Sequence, residues 1–139
     1  MLTIAIVDNH TLMRNEIKGL VNRQNDLRVT IEASGGRDFI RQLETTPPPD
    51  IALVDINMPH MDGYEITVFL KDHFPSVKVL GVSFHHDDKV IRKMLHSGAC
   101  GYVTKTSDPH VFIDAIHAVA DNGFFVHNHI ALENAKRAV

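Results

Sequence analysis

Four short apolar runs in this 139-residue chain each stop at a polar side chain. Residues 3–7 lead into Asp8-Asn9, residues 51–54 into Asp55, residues 77–82 into Ser83 and residues 101–104 into Lys105. Brought to one place, these groups make up a carboxylate nucleophile, oxygen ligands for a hard divalent cation and two donors for an oxyanion. Phosphoryl transfer onto a carboxylate needs those parts. Two carboxylates a few ångströms apart repel, and a doubly charged cation relieves the repulsion. Mg²⁺ suits the task because it prefers oxygen ligands and keeps waters that a phosphate can displace. It would also screen Asp55 from an incoming anionic group. Lys105 would take part of the charge on the acyl phosphate, and Ser83 would donate to another phosphate oxygen.

A scaffold that gathers these positions is legible in the apolar pattern. Continuous apolar runs at residues 3–7, 27–33, 51–54, 77–82 and 101–104 read as buried strands. Helical spacing fills the gaps between them, in Leu12, Ile17, Leu20 and Val21, then Phe39, Ile40 and Leu43, then Ile66, Phe69 and Leu70. It continues in Val90, Ile91, Met94 and Leu95, and in Phe112, Ile116 and Val119. Punctuation agrees with this division. Pro47-Pro48-Pro49 and Pro75 end helices, Gly98 is a C-terminal cap, and Asp108-Pro109 reads as an N-cap followed by Pro at the first helical position. Alternation of this kind predicts an α/β fold, a doubly wound five-stranded parallel sheet with helices on both faces. Ligands in such sheets bind beyond the carboxyl ends of the strands, at the topological switch point. With strand order 2-1-3-4-5, the acids after strands one and three are neighbours, and Ser83 and Lys105 reach the same edge. Residues 1–125 form this domain, and residues 126–139 are expected to be a linker or short extra helix.

Composition excludes other classes. At 44% apolar and 22% charged, the chain is too ordinary for disorder. No apolar run approaches the ~20 residues of a membrane helix, and the N-terminus lacks the basic flank of a signal peptide. The single cysteine, Cys100, cannot form an internal disulfide and fits a cytoplasmic location as an inert core thiol. A net charge of −3 shows no basic stripe for direct DNA contact.

The blocks Ile-Val-Asp-Asn-His, Ala-Leu-Val-Asp-Ile-Asn-Met-Pro-His-Met-Asp-Gly-Tyr-Glu, Val-Leu-Gly-Val-Ser and Gly-Tyr-Val-Thr-Lys occur in that order. In sequence and spacing the chain resembles the receiver domain of bacterial two-component response regulators, the CheY-like (flavodoxin-like) fold, over residues 1 to about 125. The Asp-Asn-His ending of strand one and the pattern of the last helix resemble the NarL/FixJ/LuxR-type branch, whose regulators carry a C-terminal helix-turn-helix. The resemblance implies that Asp55 accepts a phosphoryl group from a histidine kinase or phosphotransfer protein, with Ser83 and Lys105 completing the phospho-site. It implies Tyr102 as an aromatic switch and metal ligation by Asp8, Asn9, Asp55 and the Asn57 backbone carbonyl. The Asn57 side chain, with His85, would influence dephosphorylation. A homodimer is a further implied partner, and DNA would be reached only through an output domain.

One position departs from that family's pattern. Receivers usually carry two adjacent acids after strand one, and here the second is Asn9. An amide oxygen still ligates Mg²⁺ but contributes no charge, so weak Mg²⁺ binding is expected. The main rival is therefore a degenerate receiver that docks partners without phosphate chemistry. An aspartyl phosphatase would want an acid two residues after its nucleophile, where Asn57 stands. A flavin-binding domain would place its phosphate against Asp8, which would repel it. No enzymatic activity is expected.

Several residues also have plain structural readings. Asp8 alone would be a favourable acid at a helix N-terminus. Tyr102, on what reads as the edge strand, could serve only as packing. Asp62-Gly63 reads as a cap and tight turn. Among ten histidines, His85-His86 and His127-x-His129 lack further ligands at structural zinc spacing and read as solvated loop residues.

Overall fold

The computed structural model of the protein describes residues 1–84 and 87–126. Strands and helices alternate as β1 (Leu2–Val7), α1 (Thr11–Asn22), β2 (Leu27–Ala33), α2 (Gly36–Leu43), β3 (Ile51–Asp55) and α3 (Gly63–His73). They continue as β4 (Lys78–Ser83), α4 (Asp88–Ser97), β5 (Gly101–Thr104) and α5 (Pro109–Asn122). The strands pair in parallel in the order β2-β1-β3-β4-β5, as expected. Of the expected linker or short extra helix at 126–139, residue 126 belongs to a strand, and the rest, with the histidine pair, lies outside the described residues, as do residues 85 and 86.

One strand was not foreseen. A two-residue β6 (Phe125–Val126) pairs in parallel with β5, so that Gly101 faces Phe125 and Tyr102 faces Val126. Gly123 turns the chain back with φ of 88°. Gly101 permits the close approach, because a Cβ there would lie 2.4 Å from the Phe125 carbonyl oxygen. Tyr102 therefore stands on an interior strand.

Both sheet faces are buried, which explains the continuous apolar runs. Ala5, Val7, Ala52, Val54 and Val79 turn toward Phe39 of α2, Ile66 and Leu70 of α3, and Ile91 and Met94 of α4. Ile4, Ile6, Leu53, Leu80 and Val103 turn toward Ile17 and Val21 of α1 and toward Phe112, Ile116 and Val119 of α5. Each fully buried aliphatic side chain contributes about 1.5–3 kcal/mol by leaving water. The rigid sheet is what holds the polar strand tips in register.

Acids cap the starts of two of the five helices, α3 and α4. The side chain of Asp62 accepts from the Glu65 amide at 2.9 Å, and Asp87 accepts from Val90 at 3.0 Å. Asp108 occupies the expected cap position before Pro109, yet its side chain makes no capping hydrogen bond. The backbone carbonyl of Asp108 accepts from Val111 instead. Gly98 caps α4 in the left-handed region, with φ of 116°.

Candidate phospho-acceptor site

Parallel pairing brings four strand tips together. Val7 is level with Val54, Asp55 with Val82, and Ser83 with Thr104. Past those rungs the backbone remains pinned: the Asp8 amide donates to Ala33, Ile56 to Val82 and Lys105 to Ser83. Asp8, Asp55, Ser83 and Lys105 consequently meet at one edge, and all four are buried.

The two carboxylates are held alike. One oxygen of each accepts the amide two residues further on, the side-chain turn natural to aspartate. Asp8 Oδ1 accepts from the His10 amide at 2.8 Å, and Asp55 Oδ1 from the Asn57 amide at 3.3 Å. The second oxygens are left for Lys105, whose Nζ is 2.9 Å from Asp8 Oδ2 and 3.3 Å from Asp55 Oδ2. Arg14 clamps the same tip by donating to the Asp8 carbonyl at 2.6 Å, and it leans on Glu32 at 3.6 Å.

One buried ammonium therefore faces two buried carboxylates. Burial raises the pKa of Asp55, Lys105 opposes that rise, and the Asp8 charge adds to it. Asp55 Oδ2 is also shielded from solvent and accepts no hydrogen bond, among the described residues. A divalent cation would fit this charge pattern. Asp8, His10 and Asp55 each offer a ligand atom, and these atoms lie within 4.8 Å of one another.

Comparison with known proteins agrees with this geometry. Residues 4–117 match the family model described as the response regulator receiver domain. The chain belongs to that family. It is 34% identical over 126 residues to the transcriptional regulatory protein DegU of Brevibacillus brevis, a match covering 91% of this chain and 53% of DegU. It is 36% identical over 120 residues to the nitrate/nitrite response regulator protein NarL of Escherichia coli K12, covering 85% of this chain and 54% of NarL. The receiver thus spans about half the length of these curated relatives. Among solved structures it is similar to a LuxR-family two-component response regulator from Aurantimonas sp. SI85-9A1. That match has a TM-score of 0.86 and 27% identity, covering 99% of this chain and 96% of the other. The signal receiver domain of a NarL homologue from Mycobacterium tuberculosis matches with a TM-score of 0.80 and 25% identity, covering 86% and 95% of the two chains.

The other singled-out residues of this receiver fall around the carboxylates. Asn57 is exposed, and its side-chain amide donates to Ser83 Oγ at 3.4 Å, linking the loop after β3 to the end of β4. Asn9 is exposed, and its side chain forms no hydrogen bond among the described residues. Tyr102 lies fully inside, against the α3–α4 side of the core. Burial pushes its phenol up to about 12, with nearby Ser83 opposing the rise. Among the described residues the Tyr102 hydroxyl is buried without a hydrogen-bond partner. Cys100 is partly buried, and that burial raises its thiol pKa, consistent with an unreactive thiol. His85 lies outside the described residues.

Two residues inside the receiver-like sequence blocks do more than the sequence reading assigned them. Gly63 is more than a turn residue: a Cβ there would lie 2.6 Å from both the Asp55 carbonyl oxygen and Ile56 Cα. His10 belongs to the pocket, with Nδ1 3.1 Å from Asp8 Oδ1 and 3.6 Å from Asp55 Oδ2. The available signal was its position two residues beyond a strand-terminal acid, where the aspartate turn folds the chain back over the carboxylate.

No described helix is long and apolar enough to cross a membrane.

Proposed function

We propose that this receiver takes a phosphoryl group onto Asp55 from a phosphohistidine of a partner kinase or phosphotransfer protein. In the transfer, an Asp55 carboxylate oxygen bonds to phosphorus as the donor P–N bond breaks, and the donor imidazole leaves with the bonding pair. Asp8, Asn9, Asp55 and the Asn57 carbonyl would hold Mg²⁺, which supplies charge neutralisation between the carboxylates and the incoming anion. Lys105 shifts its ion pairing from the carboxylates to the phosphoryl oxygens, and the Ser83 hydroxyl donates to another. Phosphorylation adds about two negative charges and three acceptor oxygens at neutral pH.

Ser83 is the link to a surface change. Its neighbour Tyr102 is already inside the core, so the switch works by re-partnering a buried hydroxyl as Ser83 moves. The loop after β4 follows, changing affinity for a partner or a second copy. Where an output domain that binds DNA accompanies the receiver, as the transcriptional names of the relatives imply, it would read this change. This is a signalling cycle located in the cytoplasm, with no catalytic turnover of its own.

The observation that supports this reading is one buried lysine ion-paired with two strand-tip carboxylates, at 2.9 Å to Asp8 and 3.3 Å to Asp55. The test is intact mass after incubation with Mg²⁺ and a small-molecule phosphodonor. A phosphate-sized gain that disappears in Asp55→Asn is expected. No gain would favour the phosphorylation-independent docking module that Asn9 permits.

A further inference from the structure

The proposed function leaves His10 unused, although its ring lies over the carboxylates. Its Nδ1 is 3.1 Å from Asp8 Oδ1 and 3.0 Å from Lys105 Nζ. A single ring nitrogen cannot serve both neighbours, because the carboxylate needs an N–H and the ammonium needs a lone pair. The ring also meets Phe84 edge-on, with centroids 6.0 Å apart. Below it, buried Asp55 Oδ2 has the Lys105 ion pair at 3.3 Å and no hydrogen bond among the described residues.

We infer that His10 is a metal ligand that makes this pocket a mixed nitrogen–oxygen site, favouring borderline divalent ions such as Co²⁺ and Zn²⁺ over Mg²⁺. The inference rests on the pocket being the cation-dependent phospho-site proposed above. Its ligand atoms come from Asp8, His10 and Asp55, all within 4.8 Å. Mg²⁺ selects oxygen and dehydrates reluctantly, whereas imidazole is a favoured ligand of later first-row metals. A hard-ion site would be strengthened by a third acid, and this chain has Asn9 there. The imidazole supplies a further ligand atom without the missing charge. An ion in that position also resolves the conflict at Nδ1, since one lone pair then points at a cation while the carboxylates ligate the same ion. Lys105 gives up its central place and becomes free to meet a phosphoryl group.

The test is a calorimetric titration of the native protein, His10→Ala and Asp55→Asn with Co²⁺ and, separately, with Mg²⁺. Co²⁺ visible absorption is recorded in parallel as a report of nitrogen ligation. Even outer-shell partners of a metal are worth about 10–100-fold in affinity, so loss of this ligand should lower the Co²⁺-to-Mg²⁺ affinity ratio at least about tenfold. Asp55→Asn should abolish the same absorption component, which separates it from histidines elsewhere in the chain. An unchanged ratio in His10→Ala, or the full Co²⁺ signal in Asp55→Asn, overturns the inference. The Mg²⁺-dependent mass gain measured on the same samples keeps the two ideas apart. A gain with an unchanged metal ratio defeats only the role of His10, and no gain at all defeats the underlying phospho-site.

Discussion

Asp8 and Asp55 present themselves to Lys105 in the same way: each anchors Oδ1 on the amide two residues onward and leaves Oδ2 for the ammonium. The pairing is asymmetric in length, 2.9 Å for Asp8 against 3.3 Å for Asp55. Asp8 thus carries the firmer ion pair, and Asp55 is the more available of the two.

Removing the lysine should be costly. Lys105→Ala leaves two buried carboxylates without their cation, and breaking a buried pair in this way typically costs about 3–5 kcal/mol. Urea denaturation should show this loss without Mg²⁺ and a smaller loss with it, because the ion replaces the missing charge. Equal loss under both conditions would mean that Mg²⁺ does not enter between these carboxylates.

Asp55 itself should oppose folding when no metal is bound. Burial, then the Asp8 charge, outweigh Lys105 and raise its pKa from the ordinary 3.8. A raised folded-state value means that the protonated carboxyl favours folding below pH 3.8, and that this contribution fades as pH climbs through the folded pKa. Asp55→Asn should therefore unfold at a higher temperature than the native protein near neutral pH. The gap should narrow on acidification toward 3.8 and on adding Mg²⁺. A variant less stable at neutral pH would reverse the sign of this argument.

Most of the fold was legible because a sheet covered on both faces forces continuous apolar runs, and each run ends where the backbone leaves the core. Asp8, Asp55, Ser83 and Lys105 were found by that rule alone. Strand β6 was not, since two residues carry no periodicity and their pairing depends on the bare backbone at Gly101. His10 stands in the Asp-Asn-His ending of β1, but its place over the carboxylates is set by the Asp8 side-chain turn, which the sequence pattern does not show. The close approach of Gly63 to the Asp55 backbone is likewise a tertiary fact, which the reading of a tight turn could not contain.

Tyr102 offers a separate test of the switch. Its hydroxyl is buried without a hydrogen-bond partner among the described residues, an arrangement that costs about 1–3 kcal/mol. Tyr102→Phe should accordingly raise stability by about 1 kcal/mol in the unphosphorylated protein. If the hydroxyl gains a partner when Ser83 moves, the benefit should shrink after phosphorylation. Matched denaturation curves, with and without phosphodonor, read both numbers, and a destabilised Tyr102→Phe would show that the hydroxyl is already satisfied.

Restoring an acid beside Asp8 should strengthen the cation site. One added charge about 4 Å from a cation is worth about 1 kcal/mol per unit of cation charge even at the dielectric of water, so Asn9→Asp should tighten Mg²⁺ at least about fivefold. Calorimetric titration measures this directly, and unchanged affinity would show that charge count at position 9 does not set Mg²⁺ affinity.

The central claim is the identity of the acceptor atom, and chemical trapping reads it most directly. Borohydride reduces an aspartyl phosphate to homoserine, so protein treated with Mg²⁺ and phosphodonor, then reduced and digested, should carry homoserine at position 55 and nowhere else. Homoserine at position 8, phosphate on a histidine, or an unmodified Asp55 under conditions that saturate the metal would contradict the account.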